Sequence, residues 1–235
     1  MKVLLNSDVG EGAGYDHVII PLVQEANICC GAHAGGADEM REAVSLAVRH
    51  EVRIGAHPGY PDRSNFGRVP MTLSESELRS TIQEQLEQLD QVVRAEGAVL
   101  SYCKPHGALY NAMSRDFGYA QVVCQMILGW RSLPIMGLAN SEAERAVKSL
   151  GGTFIREGFL DRSYTDEGLL VPRSQEGAVI TERLVAQRQA EAFLQKKPIT
   201  TITGKKVQLE VDSLCVHGDT AGAVDFLKSI LDHPF

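Results

Sequence analysis

The chain has 235 residues, of which 44% are hydrophobic and 23% are charged, and its formal net charge is −7. A globular protein of this length and ordinary composition can bury a substantial core. The acidic balance argues against a general nucleic-acid binder or a binder of anionic membranes, since such proteins carry a basic face.

The first half of the chain alternates short apolar runs with amphipathic helical patterns. Strands are predicted at residues 2–6, 25–30, 52–56 and 98–103. A helix is predicted from Asp38 to about His50, where apolar residues recur at spacings of three and four. A longer helix is predicted from Ser74, where Glu77 completes a capping box, to near Gly97.

The second half continues the same alternation. Helices are predicted at residues 119–128, 141–150, 182–194 and 220–231. Strands are predicted at residues 133–139, 152–157 and 212–219, with an irregular section at 158–173 and a hairpin at 200–211 that turns at Gly204 and Lys205. We see no linker and no repeat, and we expect a single domain over residues 1–235.

Repeated strand–helix units predict an α/β fold with parallel strands and helical crossovers. Seven such strands are consistent either with a TIM-like barrel or with an open doubly wound sheet. Both architectures bind ligands beyond the carboxyl ends of their strands. The residues that follow each predicted strand are therefore the candidates for a functional site.

Ionisable side chains follow six of the seven predicted strands. In chain order, the polar residues at these ends are Asp8, Glu11, Asn27, His33, His57, Lys104, His106, Asn111, Glu157, Asp161, Arg162, Arg173, His217 and Asp219. Taken singly, each is more often a helix cap, a hydrogen-bonded structural group or a surface partner than a catalyst. Clustering so many at one end of a fold costs desolvation and repulsion, which favours a shared functional pocket.

The five cysteines show no Cys-x-x-Cys spacing, so we expect reduced thiols in a cytoplasmic protein rather than a disulfide framework or a structural zinc site. The three apolar residues at the start are too few for a signal-peptide core, and no later run approaches a membrane span. We therefore expect no membrane association and no nucleic-acid partner.

Seven segments of the chain resemble, in order, the motifs of the LamB/YcsF family: NSDVGEG, ANICCGAHAGG, IGAHPGYPD, KPHGALYN, EGFLDRSY, GLLVPR and CVHGDT. The resemblance runs from Asn6 to beyond Asp219. The chain departs from the family pattern at Ser7, Gly36 and Val69, where Cys, Asp and a second Arg are usual. The departure at Val69 removes one cation from a loop that could contact phosphate.

The resemblance implies a distorted, seven-stranded TIM-like barrel of the glycoside hydrolase/deacetylase type. It also implies the role of the A subunit in an ATP-dependent 5-oxoprolinase, which cleaves 5-oxo-L-proline to L-glutamate together with subunits B and C. ATP, with Mg²⁺, would then be the cofactor, although the chain contains no P-loop motif. Whether a transition metal is also bound is left open.

Opening a stable lactam with ATP suggests phosphorylation of the amide oxygen, so the site needs phosphate-binding cations and an acid/base pair. The residues we expect to be catalytic are Asp8, Glu11, His33, His57, Lys104, His106, Asp161, His217 and Asp219. The residues we expect to bind substrate or phosphate are Asn27, Asn111, Glu157, Arg162 and Arg173. The pattern does not rank the histidines as acid, base or ligand.

Two other functions remain open at this point. A metal-dependent amide hydrolase or deacetylase acting without ATP could use Asp8 with two of His33, His57 and His106 as ligands, although no His-x-x-His spacing occurs. A binding or scaffold protein without chemistry of its own is the third possibility. The concentration of ionisable groups at the strand ends argues against it.

Overall fold

Seven parallel strands close into a barrel in the computed structural model, which describes residues 3–217 and 223–232. The strands of the chain are β1 (Leu4–Val9), β2 (Glu25–Cys29), β3 (Arg53–His57), β4 (Tyr102–Cys103), β5 (Ile135–Leu138), β6 (Phe154–Phe159), β7 (Ile199–Thr200), β8 (Lys206–Val207) and β9 (Ser213–Cys215). Their order around the barrel is β1-β2-β3-β4-β5-β6-β9. The TIM-like barrel is therefore confirmed, and the open sheet is not formed.

Helices connect the strands. They are α1 (Asp16–Ile19), α2 (Ala37–Arg49), α3 (Glu75–Ala95), α4 (Gly107–Arg115), α5 (Phe117–Trp130), α6 (Glu142–Ser149), α7 (Arg183–Leu194) and α8 (Ala223–Asp232), with short 3-10 turns at Ile20–Leu22 and Arg63–Asn65. The predicted capping box forms at the start of α3, where Ser74 and Glu77 bond each other's backbone N–H groups. None of the helices in the described ranges has the length and apolarity needed to cross a bilayer.

The barrel closes through β9. This strand pairs with β1 on one side, where Asn6 is in register with Cys215, and with β6 on the other, where Phe159 is in register with the same residue. The predicted hairpin is confirmed outside the barrel, because β7 and β8 pair antiparallel and Gly204 has a φ of +88°. The first and last barrel strands therefore present their carboxyl ends side by side.

Two parts of the sequence prediction are wrong. The predicted strand at 98–103 is reduced to the two residues of β4, beside which the Tyr102 ring occupies the space where a side chain at Gly55 would lie. The segment after Lys104, for which no helix is predicted, forms α4. This helix begins immediately after His106 and buries Leu109 and Tyr110, so it carries polar residues into the end of the barrel.

Candidate active site

Side chains from four strand ends meet in one cavity of about 410 Å³ at the carboxyl end of the barrel. Asp8 comes from β1, His57 from the end of β3, Lys104 and His106 from the segment after β4, and His217 from just beyond β9. The expectation that these strand ends share a site agrees with the positions of all five residues.

Asp8 is buried, and its two carboxylate oxygens face different groups. Oδ1 accepts hydrogen bonds from Lys104 Nζ at 2.7 Å and from Asn27 Nδ2 at 2.8 Å. Oδ2 lies 3.4 Å from His57 Nε2 and 4.0 Å from His217 Nε2. Burial opposes ionisation, but His57 and Lys104 outweigh it and hold the pKa of Asp8 well below its usual value. Asp8 is therefore a carboxylate with one oxygen directed at histidines.

Lys104 is a cation enclosed in the barrel, with 2% of its surface exposed. Its Nζ donates to Asp8 Oδ1 at 2.7 Å, to Cys215 Sγ at 3.4 Å and to Asn6 Oδ1 at 3.5 Å. Glu157 Oε1 lies 2.8 Å from the same nitrogen and forms an ion pair with it. The ammonium is therefore held between two buried carboxylates, those of Asp8 and Glu157.

The charge on Lys104 is strongly favoured. Burial alone would lower the pKa of the ammonium, but Asp8, Cys215 and Glu157 outweigh it and raise the pKa well above its usual value. Glu157 is fixed from the other side, since Tyr110 donates its hydroxyl to Oε2 at 2.8 Å. Asn27 is fixed in the same way by the Tyr102 hydroxyl at 2.6 Å. Asn27 and Glu157 therefore lie beneath the cavity and position Asp8 and Lys104 there.

His57 and His106 each donate one ring N–H to a backbone carbonyl. His57 Nδ1 lies 2.7 Å from the carbonyl oxygen of Lys104, and His106 Nε2 lies 2.9 Å from that of Phe66. A carbonyl only accepts, so these bonds fix which ring nitrogen carries the proton. The remaining nitrogens, His57 Nε2 and His106 Nδ1, face each other at 2.9 Å.

His33 lies against this pair, and Glu11 reaches all three rings. Glu11 Oε1 is 3.2 Å from His33 Nε2, 3.6 Å from His106 Nδ1 and 4.0 Å from His57 Nε2. The His33 and His106 rings stack at 3.7 Å with an interplanar angle of 1°. Gly67, with a φ of +61°, allows this packing, because a Cβ there would lie 2.8 Å from the Cβ of His33.

We expect His33 to make the protein sensitive to acid. Burial, and then the neighbouring His57, lower the pKa of His33 to about 3 from an unperturbed value of 6.5. The unfolded chain therefore takes up this proton near pH 6.5, whereas the folded chain resists it until about pH 3. Stability from this group is complete above pH 6.5 and is lost as the pH falls, by roughly 4 to 5 kcal/mol in total.

Urea unfolding between pH 7.5 and 4, with a chelator present, measures this loss. His33→Gln should show a shallower fall in the free energy of unfolding than the wild type, and exposed His50→Gln should show the wild-type fall. If the free energy of unfolding falls equally with pH in wild type and His33→Gln, His33 is not the source of the acid sensitivity.

His217 is oriented by Asp161. Its Nδ1 lies 2.9 Å from Asp161 Oδ2, and its backbone N–H donates to the same oxygen at 3.1 Å. The ring also stacks on Phe159, with centroids 5.4 Å apart. Donation from Nδ1 to Asp161 leaves a lone pair on Nε2, which faces the cavity and Asp8. Asp161 does not line the cavity, so it is a positioning residue for His217.

Cationic side chains also line the cavity. Arg162 is buried, and its guanidinium donates to the carbonyls of Ala178 and Val171. Burial, and then Arg173, lower the pKa of Arg162 to about 10. In the described ranges no carboxylate lies within 4.0 Å of the Arg162 or Arg173 guanidinium. Two neighbouring cations with no carboxylate in ion-pair contact among the described residues point to an anionic ligand.

The other predicted residues divide into three groups. Asn111 lines the cavity, whereas Glu11 and His33 lie behind its wall against His106. Asp219 lies outside the described residues. Among the cavity-lining residues that the sequence analysis missed are Arg68, Tyr110 and Arg115. A helix predicted from Gly107 would have placed Tyr110 and Asn111 together in its first turns, next to the cavity.

Comparisons with known proteins agree with this architecture. The model of the LamB/YcsF family matches residues 3–233. The chain is 42% identical over 232 residues to a protein from Haemophilus influenzae named as the A subunit of 5-oxoprolinase, covering 98% of this chain and 95% of that protein. It is 40% identical over 235 residues to a protein of the same name from Clostridium beijerinckii, covering 97% of this chain and 92% of that protein.

A solved structure also matches over nearly the whole chain. The crystal structure of a lactam utilization protein from Thermus thermophilus superposes with a TM-score of 0.90 at 35% identity, covering 99% of this chain and 96% of that one. The match therefore spans both the barrel and the segments that build the cavity.

Proposed function

The chain belongs to the LamB/YcsF family, and from this premise we propose that it is the A subunit of a 5-oxoprolinase, which opens the ring of 5-oxo-L-proline to give L-glutamate. The observation that carries the proposal is the cavity itself. It is lined by the ionisable side chains of Asp8, His57 and His217 and by the guanidiniums of Arg162 and Arg173, which have no carboxylate within 4.0 Å among the described residues. An anionic cyclic amide needs both kinds of group.

The Asp161–His217 pair is the best-placed general base. In the proposed reaction a water molecule attacks the lactam carbon, its proton passes to His217 Nε2, and the carbon–nitrogen bond of the ring breaks. Asp161 keeps the Nδ1 proton in place and stabilises the imidazolium that forms. The ring nitrogen leaves with a proton, and His217 can return the one it accepted.

Energy coupling to ATP, with Mg²⁺, is part of the same proposal. An unactivated five-membered lactam resists hydrolysis, whereas transfer of the γ-phosphoryl group of ATP to its oxygen, with release of ADP, makes the carbon electrophilic. After water has added and the carbon–nitrogen bond has broken, the product is an acyl phosphate, which a second water hydrolyses to L-glutamate and phosphate. Arg162 and Arg173 are suited to hold the phosphate, and Lys104 to stabilise charge near the carbonyl. We assign ATP-dependent turnover to a complex with subunits B and C in the cytoplasm, where the five cysteines, all buried and unpaired, would remain reduced.

Reconstitution tests the proposed function. We expect the isolated chain to form little or no glutamate from 5-oxoproline, and we expect glutamate to accumulate when subunits B and C, ATP and Mg²⁺ are added. Omitting this chain from the mixture should abolish the activity. ATP-independent turnover by the isolated chain would instead support the amide hydrolase alternative.

Arg173→Gln should weaken binding of the anionic ligand without affecting the fold. Its guanidinium makes no hydrogen bond or ion pair with any described residue, so melting should be unchanged. A lost charged hydrogen bond costs about 1.5 to 3 kcal/mol, which predicts a roughly 10- to 150-fold rise in KM for 5-oxoproline or ATP. Steady-state kinetics of the reconstituted complex measure this rise in KM, with the variant Arg183→Gln at an exposed position as the control. A KM within twofold of wild type for both ligands would remove Arg173 from the site.

A further inference from the structure

The two nitrogens that face each other in the histidine cluster have no proton between them when both rings are neutral. His57 Nδ1 and His106 Nε2 hold their protons against the carbonyls of Lys104 and Phe66. The lone pairs of His57 Nε2 and His106 Nδ1 then point at each other across 2.9 Å. Two lone pairs at this distance repel, so the site requires a cation between them or a shared proton.

A carboxylate completes the arrangement. Glu11 Oε1 lies 3.6 Å from His106 Nδ1 and 4.0 Å from His57 Nε2. Zinc bonds to nitrogen and oxygen are about 2.0 to 2.2 Å long, which places tetrahedral ligand atoms roughly 3.3 to 3.5 Å apart. The three separations bracket this value. We propose that Glu11, His57 and His106 bind a divalent transition-metal ion of the zinc class through Oε1, Nε2 and Nδ1.

The outer contacts of the two histidines support the proposal. A metal-binding histidine commonly donates its second ring N–H to a carbonyl or carboxylate, which fixes the tautomer and the ring direction. His57 and His106 both make this contact, with different carbonyls on different segments.

His33 is a positioning residue for this ion and not a ligand. Its ring is parallel to His106 at 3.7 Å, so an ion in the plane of His106 lies far out of the plane of His33. A ring nitrogen binds metals in its own plane. His33 Nε2 instead lies 3.2 Å from Glu11 Oε1, where its N–H can orient the carboxylate.

A neighbouring group also has suitable ligand atoms, from Asp8, Cys215 and His217, but the ammonium of Lys104 already contacts it. Lys104 Nζ lies 2.7 Å from Asp8 and 3.4 Å from Cys215. The ion therefore belongs at Glu11, where no lysine intervenes among the described residues. His57 and His106 line the cavity, so the open side of the ion faces the ligand. With three protein ligands the ion can take a water or carbonyl oxygen there.

Metal titration of the purified chain tests the inference without any assay of turnover. Protein stripped with a chelator is titrated with Zn²⁺ by calorimetry and with Co²⁺ by visible spectroscopy. We expect one ion per chain and cobalt bands typical of nitrogen and oxygen ligands. His57→Ala, His106→Ala and Glu11→Gln should each weaken binding by more than about 100-fold, and His33→Gln by about 10- to 100-fold. Exposed His50→Gln should bind as the wild type does.

Three results would overturn the inference. They are absence of stoichiometric binding by the wild type, binding by His106→Ala within threefold of the wild type, and a sulfur-to-cobalt charge-transfer band, which would place the ion at Cys215 in the neighbouring group. The first and third use the wild-type chain, so they do not depend on whether a variant folds. The inference holds or fails independently of whether 5-oxoproline is the substrate.

Discussion

Lys104→Met is expected to lower both the melting temperature and the rate of turnover. The ammonium is enclosed between Asp8 and Glu157, and its loss leaves two buried carboxylates without a counter-charge. Breaking a buried ion pair by removing one partner costs about 3 to 5 kcal/mol. For a chain of this size the melting temperature should fall by roughly 6 to 20 °C. Loss of a well-placed donor should also reduce turnover by about a hundredfold or more.

Two further variants distinguish the loss of this ion pair from a non-specific loss of stability. Lys148→Met removes an exposed lysine that pairs with Glu144, and it should shift melting by no more than about 2 °C. Adding Glu157→Gln to Lys104→Met removes one orphaned charge, so part of the stability should return while turnover stays low. If Lys104→Met melts within 2 °C of wild type and turns over within threefold, the enclosed ion pair contributes neither to stability nor to catalysis.

His217→Gln should give the second large effect, confined to the rate. A general base contributes roughly 10²- to 10⁴-fold, and Gln keeps a polar side chain of similar length without a titratable nitrogen. His217 is partly exposed in the cavity, so melting should change little. The kcat of the reconstituted complex should fall by this factor while KM for 5-oxoproline changes by less than about threefold.

Asp161→Asn provides the matched test of orientation. The amide can donate to His217 Nδ1 and so stabilise the tautomer whose Nε2 carries the proton, which removes the lone pair from the cavity side. The rate should then fall as for His217→Gln, with the pH profile of kcat shifted as well. Wild-type kcat in His217→Gln would assign the proton transfer to a different group.

Regular elements were predictable wherever one local signal decided the structure. The capping box at Ser74 and Glu77 fixed the start of α3, and the apolar spacing in α2 identified its buried face. The start of α4 was not predictable, because Pro105 and Gly107 are typical of a turn. Tertiary packing overrides that preference: the amide of Ala108 bonds the carbonyl of Gly67, and Leu109 and Tyr110 are buried.

The sequence predicts which strand ends form the site, but not which of their side chains contact one another. Asp161 meets His217 because β6 and β9 are neighbours in register, and no local pattern reveals that strand order. The burial of Lys104 was equally unpredictable, since a lysine after a strand normally extends its ammonium into solvent. Here Asp8, Asn6 and Cys215, from the two strands that close the barrel, supply its partners.

The closure of the barrel through β1 and β9 has a consequence for biosynthesis. Asn6 bonds Ser213, which is 207 residues further along the chain. At about 5 to 20 residues per second, a ribosome needs roughly 10 to 40 s to deliver the strand that completes β1. During that interval the emerging polypeptide exposes a strand edge, and Lys104 lacks its contact with Cys215. We expect the nascent chain to be a client of holding chaperones until β9 is released from the exit tunnel.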